Sequence, residues 1–208
     1  GDSIIDNVKR TNGVIQGVLN FTLSKDKNSY FSELSFMEIV DGAVDLVKIK
    51  QGIEEFPITV EADPGATVYG VMTQIMESMY NIIDNGYEAM DEKSAALKSP
   101  DDRKNFVPRI LVRMKQLADA SLIEITDNGI GISAEDQKKI FAPYFTTKSS
   151  YKSQSGSGIG LYVVQRMIED NHRGKIWFTS ESMKGTSFFI RLPVKGPLSG
   201  PAPERERP

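Results

Sequence analysis

The chain has 208 residues, of which 25 are lysine or arginine, 28 are aspartate or glutamate, one is histidine and none is cysteine. The composition therefore excludes disulfides, cysteine-ligated zinc and a histidine-rich metal centre. The net charge of −3 gives no indication of nucleic-acid binding, and no apolar run is long enough for a membrane segment or a signal peptide. These features predict a soluble, cytoplasmic protein.

The first segment of the chain predicts a helix over residues 3–24. Its seam positions alternate in steps of four and three, as in a helical bundle: Ile4, Val8, Thr11, Ile15, Val18 and Thr22. One such helix cannot bury its own apolar stripe, so it needs a partner helix. We therefore expect a helical appendage, residues 1–30, ahead of a larger domain.

Residues 31–194 alternate between helical and strand patterns, which predicts one α+β domain. The predicted helices cover residues 33–48, 68–90 and 159–170. The predicted strands cover residues 57–62, 109–115, 122–126, 175–180 and 187–192. Polar loops are expected at residues 91–104 and 146–157, and the proline-rich residues 195–208 are expected to be disordered.

The long helix predicted over residues 68–90 carries a polar stripe opposite its apolar face. The face expected to point into the core consists of Met72, Ile75, Met76, Met79 and Ile83. The opposite stripe consists of Glu77, Asn81, Asn85 and Glu88. A solvent-exposed face explains such a stripe, but asparagine is a poor helix former, and its amide oxygen is a ligand that Mg²⁺ accepts. The stripe alone leaves both interpretations open.

Two glycine clusters lie in the second half of the chain. The first, residues 127–132, comes directly after a predicted strand, where Asp127 can accept a hydrogen bond from an amine such as that of adenine. The second, residues 156–161, opens a helix, where backbone N–H groups favour phosphate. It is neither the dinucleotide fingerprint nor a Walker A motif. Taken singly, the clusters are as well explained by a tight turn and a flexible hinge.

Together, these motifs have the order and spacing of one superfamily. The chain resembles the GHKL ATPases and, within them, the catalytic domain of sensor histidine kinases. The matching boxes are the N box (81–89), the G1 box (127–131), the F box (140–148), the G2 box (156–161) and a last, short glycine box (185–186). The resemblance implies a GHKL-type α/β sandwich, with helices on one face of a mixed sheet, that binds ATP and Mg²⁺.

The resemblance also implies a role for individual residues. Asn85 would coordinate Mg²⁺, and Asn81 would contact the phosphates. Asp127 would accept a hydrogen bond from the adenine amine, with Thr186 supporting it through water. Lys148 would lie near the phosphates on a mobile ATP lid, so that Asn81 and Lys148 are the expected catalytic residues.

The remaining expected nucleotide contacts come from the same boxes. The glycines are expected beneath the base and at the helix start: Gly129, Gly131, Gly158 and Gly160. The other expected contacts are Glu88, Ala89, Ile132, Thr146, Thr147, Ser157, Ile159 and Leu161. The lid would span residues 142–157.

Asn81 distinguishes between branches of the superfamily. Chaperone and mismatch-repair members have a glutamate at this position as the general base for water, whereas asparagine cannot accept a proton near neutral pH. Glu77 is a poor substitute, because it lies one turn away, about 6 Å along the helix axis. The resemblance therefore implies a kinase that transfers the γ-phosphoryl group of ATP to a histidine, for relay to a response-regulator aspartate.

The first segment fits the same family. Residues 5–25 resemble the second helix of the histidine kinase dimerisation hairpin, which implies a homodimer built on a four-helix bundle. The phosphoacceptor histidine belongs to the first hairpin helix, so we expect it in a longer parent kinase and expect this chain not to autophosphorylate. His172 matches a stretch in which the histidine is structural, and Gly86, where the family has alanine, is expected to loosen its helix slightly.

Two alternatives to the kinase stay open at this stage. A non-catalytic nucleotide-binding module, or pseudokinase, would dock partners through the helical appendage, but the intact G1, F and G2 boxes count against it. A hydrolytic GHKL ATPase is the other, and Asn81 counts against that; ATP turnover well above background would favour it.

Overall fold

A five-stranded mixed sheet is the framework of the domain in this computed structural model, which describes residues 30–146 and 158–195. The strands in chain order are β1 (Ser32–Ser35), β2 (Ile58–Glu61), β3 (Thr67–Gly70), β4 (Ile110–Gln116), β5 (Ala120–Asp127), β6 (Lys175–Glu181) and β7 (Gly185–Pro193). The main sheet has the order β2-β4-β5-β7-β6. Only β2 and β4 are parallel, and the other neighbours are antiparallel. The predicted mixed sheet is confirmed.

Helices pack against one face of this sheet. They are α1 (Phe36–Gln51), α2 (Met72–Ala96) and α4 (Gly160–Gln165), which continues as a π-helical turn, Arg166–Asn171. A further short helix, α3 (Pro100–Asn105), is exposed and has no buried residue. Side chains of α1, α2, α4 and alternate strand positions form one core, in which Ile39, Ile75, Ile83, Ile123 and Ile190 are fully buried. On the opposite face Trp177 and Phe189 stack on each other, and Trp177 is exposed. The expected α+β sandwich is therefore the observed fold.

The central strand β5 positions the first glycine cluster. Its last residue, Asp127, lies opposite Ile110 on β4 and Thr186 on β7. Helix α2 crosses the same end of the sheet so closely that a Cβ on Gly86 would lie 3.2 Å from the Cβ of Asp127. Sheet and helix thus bring the G1 box and the N box together.

A second, two-stranded sheet corrects the expected helix boundaries. β1 and β3 pair in antiparallel register, with Leu34 opposite Val68. The helices expected to begin at residues 33 and 68 therefore begin only at Phe36 and Met72. The helix α1 begins where it does because the side chain of Ser35 accepts a hydrogen bond from the backbone of Glu38.

The prediction of a loop at residues 91–104 was wrong. Helix α2 continues to Ala96, and α3 begins at Pro100, so that only residues 97–99 separate the two helices. Residues 91–96 have no apolar periodicity, but alanine, glutamate and lysine are strong helix formers that extend a helix already anchored by its buried half. Pro100 stands at the first position of α3, where its fixed φ is favourable.

The helix expected over residues 3–24 and most of the proline-rich tail lie outside the described residues. The boundaries expected after residues 30 and 194 therefore stay predictions. Within residues 30–146 and 158–195, no helix combines the length and the apolar character that a membrane span requires.

Candidate nucleotide-binding site

The polar stripe of α2 is partly buried and does not form a solvent-exposed face. Glu77, Asn81, Asn85 and Glu88 are all half-buried. On the other side of the helix Ile75, Met79 and Ile83 are fully buried, and Met72 and Met76 are half-buried against the same core. Half-buried polar groups need hydrogen-bond partners, and in this row Asn81 is bonded to the carbonyl oxygen of Glu77 and Glu88 to Lys50.

Asn81 lies against the start of α4. Its Nδ2 donates a hydrogen bond to the carbonyl oxygen of Glu77 at 2.9 Å. A Cβ on Gly160 would lie only 2.9 Å from Asn81 Oδ1. The G2 glycine therefore permits the close approach of α4 to the N box, and the two boxes are in contact.

Asp127 is a buried carboxylate at the end of β5. It is 8% exposed, and its Oδ1 accepts a hydrogen bond from the backbone N–H of Gly129 at 2.8 Å. Burial raises the pKa of Asp127 to about 6, although the backbone N–H groups of Gly129 and Thr186 and the charge of Lys93 act in the opposite direction. At neutral pH the group is thus an ionised acceptor held in a fixed orientation.

The turn after Asp127 is fastened to α2. Ile130 donates its backbone N–H to the carbonyl oxygen of Ala89 at 2.9 Å, and Lys93 Nζ donates to the carbonyl oxygen of Asn128 at 2.8 Å. A Cβ on Gly129 would lie 2.7 Å from the Cβ of Ala89. Ala89 and Gly129 are therefore neighbours, which places the end of the N box beside the G1 box.

The other side of the G1 box contacts β6 and β7. Gly131 has φ +72, and a Cβ on it would lie 2.2 Å from the carbonyl oxygen of Glu181. The backbone of Ile132 donates to Ser180 Oγ at 2.8 Å, and Ser180 Oγ is 2.9 Å from the hydroxyl of Thr186. The buried Thr186 is thus linked to the G1 box, as well as lying opposite Asp127.

The described ends of the F and G2 boxes lie side by side. Gly158 has φ +66, and a Cβ on it would lie 2.5 Å from the backbone of Tyr144. Thr146 is exposed, whereas Ile159 and Leu161 are half-buried. Thr147, Lys148 and Ser157 lie outside the described residues, so their roles stay predictions.

His172 is structural, as predicted. It is 2% exposed, its Nε2 accepts a hydrogen bond from the backbone N–H of Val71 at 3.0 Å, and its Nδ1 lies 2.7 Å from the carbonyl oxygen of Met167. The acceptor role of Nε2 places the proton on Nδ1, which donates to that carbonyl. Burial lowers the pKa of His172, so the ring is neutral at neutral pH.

A buried charge cluster between α1 and α2 was not anticipated from the sequence. Lys50 Nζ contacts Asp84 Oδ2 at 2.5 Å and Glu88 Oε1 at 3.2 Å, while Gln51 Nε2 donates to Asp84 Oδ1 at 2.8 Å. Burial opposes the charge of Lys50, but Asp84, Glu88 and Tyr80 together outweigh it and raise the lysine pKa. In the sequence, the feature that could have indicated this cluster is Asp84, a carboxylate directly after Ile82 and Ile83 on a helix predicted to be buried.

The described part of the chain contains no group of three or more aspartate, glutamate or histidine side chains arranged around a metal position. The expected Mg²⁺ position therefore depends on Asn85, together with the phosphates of a bound nucleotide. The amide oxygen of Asn85 is a hard ligand that Mg²⁺ accepts beside phosphate oxygens and water, so the residue present fits that ion.

A mixed sheet covered by helices, with a buried carboxylate beside two glycine turns, defines a nucleotide-binding α+β domain. Residues 70–196, more than half of the chain, match the family of histidine kinase-, DNA gyrase B- and HSP90-like ATPases. The chain belongs to this family, and within it to the catalytic domains of sensor histidine kinases.

Individual relatives agree with this assignment. The chain is 28% identical over 195 residues to phytochrome-like protein Cph1 of Synechocystis sp., covering 93% of this chain and 24% of that protein. It is 29% identical over 194 residues to sporulation kinase E of Bacillus subtilis, covering 92% of this chain and 23% of that protein. The chain thus spans about a quarter of the length of these two relatives.

Solved structures agree as well. The nucleotide-free catalytic domain of histidine kinase ThkA is similar with a TM-score of 0.60 and 25% identity, over 79% of this chain and 96% of that one. Mycobacterial sensor histidine kinase MprB shares the fold, with a TM-score of 0.58 over 80% of this chain.

Proposed function

We propose that this domain binds ATP and transfers its γ-phosphoryl group to a histidine of its parent kinase, for relay to a response-regulator aspartate. In the transfer, the bond between the γ-phosphorus and the bridging oxygen breaks, ADP leaves with the electron pair, and a P–N bond to the imidazole forms. One observation carries the proposal: the turn after Asp127 is hydrogen-bonded to the N-box helix through Ile130 and Ala89, while Asn81 of the same helix meets Gly160 of α4.

The adenine end of the proposed site is the pair Asp127 and Thr186. A buried, ionised carboxylate with its orientation fixed by Gly129 favours a ligand with an amine at the corresponding position, and disfavours guanine, which carries a carbonyl there. Gly129 and Gly131 lie on either side of the turn, where a side chain would collide with Ala89 or Glu181. Calorimetric titration with a non-hydrolysable ATP analogue, and with the matching GTP analogue as control, tests this end of the site.

The phosphate end would be formed by Asn81, Asn85 and the start of α4. Asn85 would hold Mg²⁺, which when bound neutralises charge on the phosphates, and Asn81 would donate to a phosphate oxygen. An Asn85→Ala variant should stay folded but lose the Mg²⁺-dependent part of its nucleotide affinity. Undiminished Mg²⁺-dependent binding in that variant would refute the role of Asn85.

The side chain of Asn81 also favours phosphoryl transfer to a histidine over hydrolysis. It cannot act as a general base, and Glu77, the nearest carboxylate along the stripe, is half-buried on the preceding turn. The lid over residues 142–157, the phosphate contact of Lys148, dimerisation through residues 1–30 and a cytoplasmic location belong to the same proposal and rest on the family resemblance.

A further inference from the structure

Lys50 joins two carboxylates, Asp84 and Glu88, that lie one turn apart on the same side of α2. Asp84 is buried and faces α1, where Lys50 and Gln51 each bind one of its oxygens. Glu88 is bound by the same lysine at 3.2 Å, and both partners of this pair are largely removed from water, with side-chain exposures of 14% and 18%. A single ammonium group therefore serves both carboxylates.

Glu88 lies between the α1 contact and the polar stripe. It is four residues after Asp84 and three after Asn85, and residues at these two spacings are neighbours on a helix surface. The carboxylate that Lys50 binds is thus adjacent to the amide expected to hold Mg²⁺. No box motif includes Lys50, and only the fold brings it to this position.

We propose that Lys50 is a positioning residue of the nucleotide site, which holds Glu88 and balances its charge and thereby sets how strongly nucleotide binding depends on Mg²⁺. The inference rests on the proposed function, because it concerns the same site. Lys50 acts through Glu88 and does not itself contact nucleotide.

The sign of the effect can be worked out from the charges. Without Lys50, the carboxylate of Glu88 loses its bound cation, and its charge repels the anionic phosphates of a nucleotide. Mg²⁺ offsets that repulsion, so affinity should fall more in its absence than in its presence. The ratio of the two dissociation constants, without Mg²⁺ over with Mg²⁺, should therefore rise.

The experiment is calorimetric titration of a non-hydrolysable ATP analogue into the whole chain, with Mg²⁺ and with EDTA. For Lys50→Met, which keeps the apolar stem, we expect the ratio to rise at least threefold over wild type. Lys50→Arg should restore it, because the guanidinium retains the charge. An unchanged ratio in Lys50→Met would overturn the inference.

Matched variants separate this effect from simple destabilisation. Gln51→Met removes a hydrogen bond to the same buried carboxylate but leaves the pair of Lys50 and Glu88, so its ratio should equal that of wild type. Lys50→Met combined with Asp84→Asn removes the unpaired buried carboxylate and should recover melting temperature, while the ratio stays raised. A ratio that returns to wild type in this double variant would overturn the part assigned to Glu88.

Combining Lys50→Met with Glu88→Gln tests whether Lys50 acts through Glu88. In a Glu88→Gln background, adding Lys50→Met should leave the ratio unchanged, because the charge that Lys50 balances at the site is gone. A wild-type chain that binds no nucleotide under any condition would overturn the proposed function and this inference together. A wild-type chain that binds normally, with all variants at the same ratio, would overturn the inference alone.

Discussion

Asp127 shows how one residue combines two opposing requirements. Its burial excludes water from the acceptor and raises its pKa to about 6, which works against the ionised form. The backbone N–H groups of Gly129 and Thr186 work in the opposite direction and keep the carboxylate charged at neutral pH. A charged acceptor that cannot turn toward solvent discriminates strongly, since the wrong base leaves it without a donor.

An Asp127→Asn substitution should weaken binding of an ATP analogue at least tenfold and reduce its preference over the GTP analogue. The amide keeps the shape but loses the charge, and a hydrogen bond to a charged group is worth about 1.5–3 kcal/mol. Calorimetric titration of both analogues measures the effect. Glu124→Gln is the matched control on the same strand, because Glu124 pairs with Arg113 away from this site; equal losses in both variants would contradict the assignment.

His172 should make the nucleotide-free protein lose stability as the pH falls. Burial lowers its pKa in the folded state, so the unfolded chain binds the proton more readily and the free energy of unfolding falls below pH 6.5. Asp127 has the opposite sign, because its folded-state pKa of about 6 lies above its ordinary value and stability rises as the pH falls from 6 toward 4. The two effects partly cancel in the wild type.

Urea unfolding between pH 5.5 and 7.5 is measured in an Asp127→Asn background with and without His172→Gln. The difference between the two variants isolates the histidine, because burial also raises the pKa of Glu77 and of Asp84, which both variants retain. We expect the free energy of unfolding to fall by up to about 1.4 kcal/mol per pH unit below pH 6.5. The slope should flatten when His172→Gln is added. An equal pH dependence with and without His172→Gln would show that protonation does not cost His172 its hydrogen bond from Val71.

At the scale of elements, helix α4 lies so close to α2 that a methyl group added at Gly160 would disturb their contact. In Gly160→Ala the new Cβ would lie 2.9 Å from Asn81 Oδ1, so the amide must move, although alanine favours the helix itself. We expect nucleotide affinity to fall about tenfold while the melting temperature changes little. The reason is that the side chain that must move belongs to the polar stripe, whereas the packing of the core is unchanged.

A double-mutant cycle checks that explanation by calorimetry. Asn81→Ala removes the amide that the new methyl group meets, so Gly160→Ala should have little further effect in that background. Fully additive losses in the two single variants and the double variant would show that the methyl group acts somewhere else.

The elements of the site were predictable to different extents. The strands β4, β5, β6 and β7 have strong apolar alternation, and the glycine boxes lie beside them at fixed spacing. β1 and β3 have only four residues each, and their strand character comes from pairing across more than 30 residues of chain, which no local pattern contains. The same holds for Lys50, whose position beside Glu88 depends on the packing of α1 against α2.

At the scale of the whole molecule, the chain should not phosphorylate itself. Its one histidine is buried and uses both ring nitrogens in hydrogen bonds, so neither can reach a γ-phosphorus atom. Incubation with γ-labelled ATP should leave the chain without acid-labile label. Label should instead appear on a separately added dimerisation hairpin that carries a phosphoacceptor histidine; label on His172 would contradict this expectation.

The position of β5 affects how well the base end and the phosphate end of the proposed site resist denaturant. This strand is hydrogen-bonded to neighbours on both sides along nearly all of its length, whereas α4 is six residues long and passes into a π-helical turn. Segments with few protecting contacts open first, so mild denaturant should loosen the phosphate end before the base end. Adenosine should then keep its affinity at urea concentrations at which a nucleoside triphosphate no longer binds more tightly than adenosine.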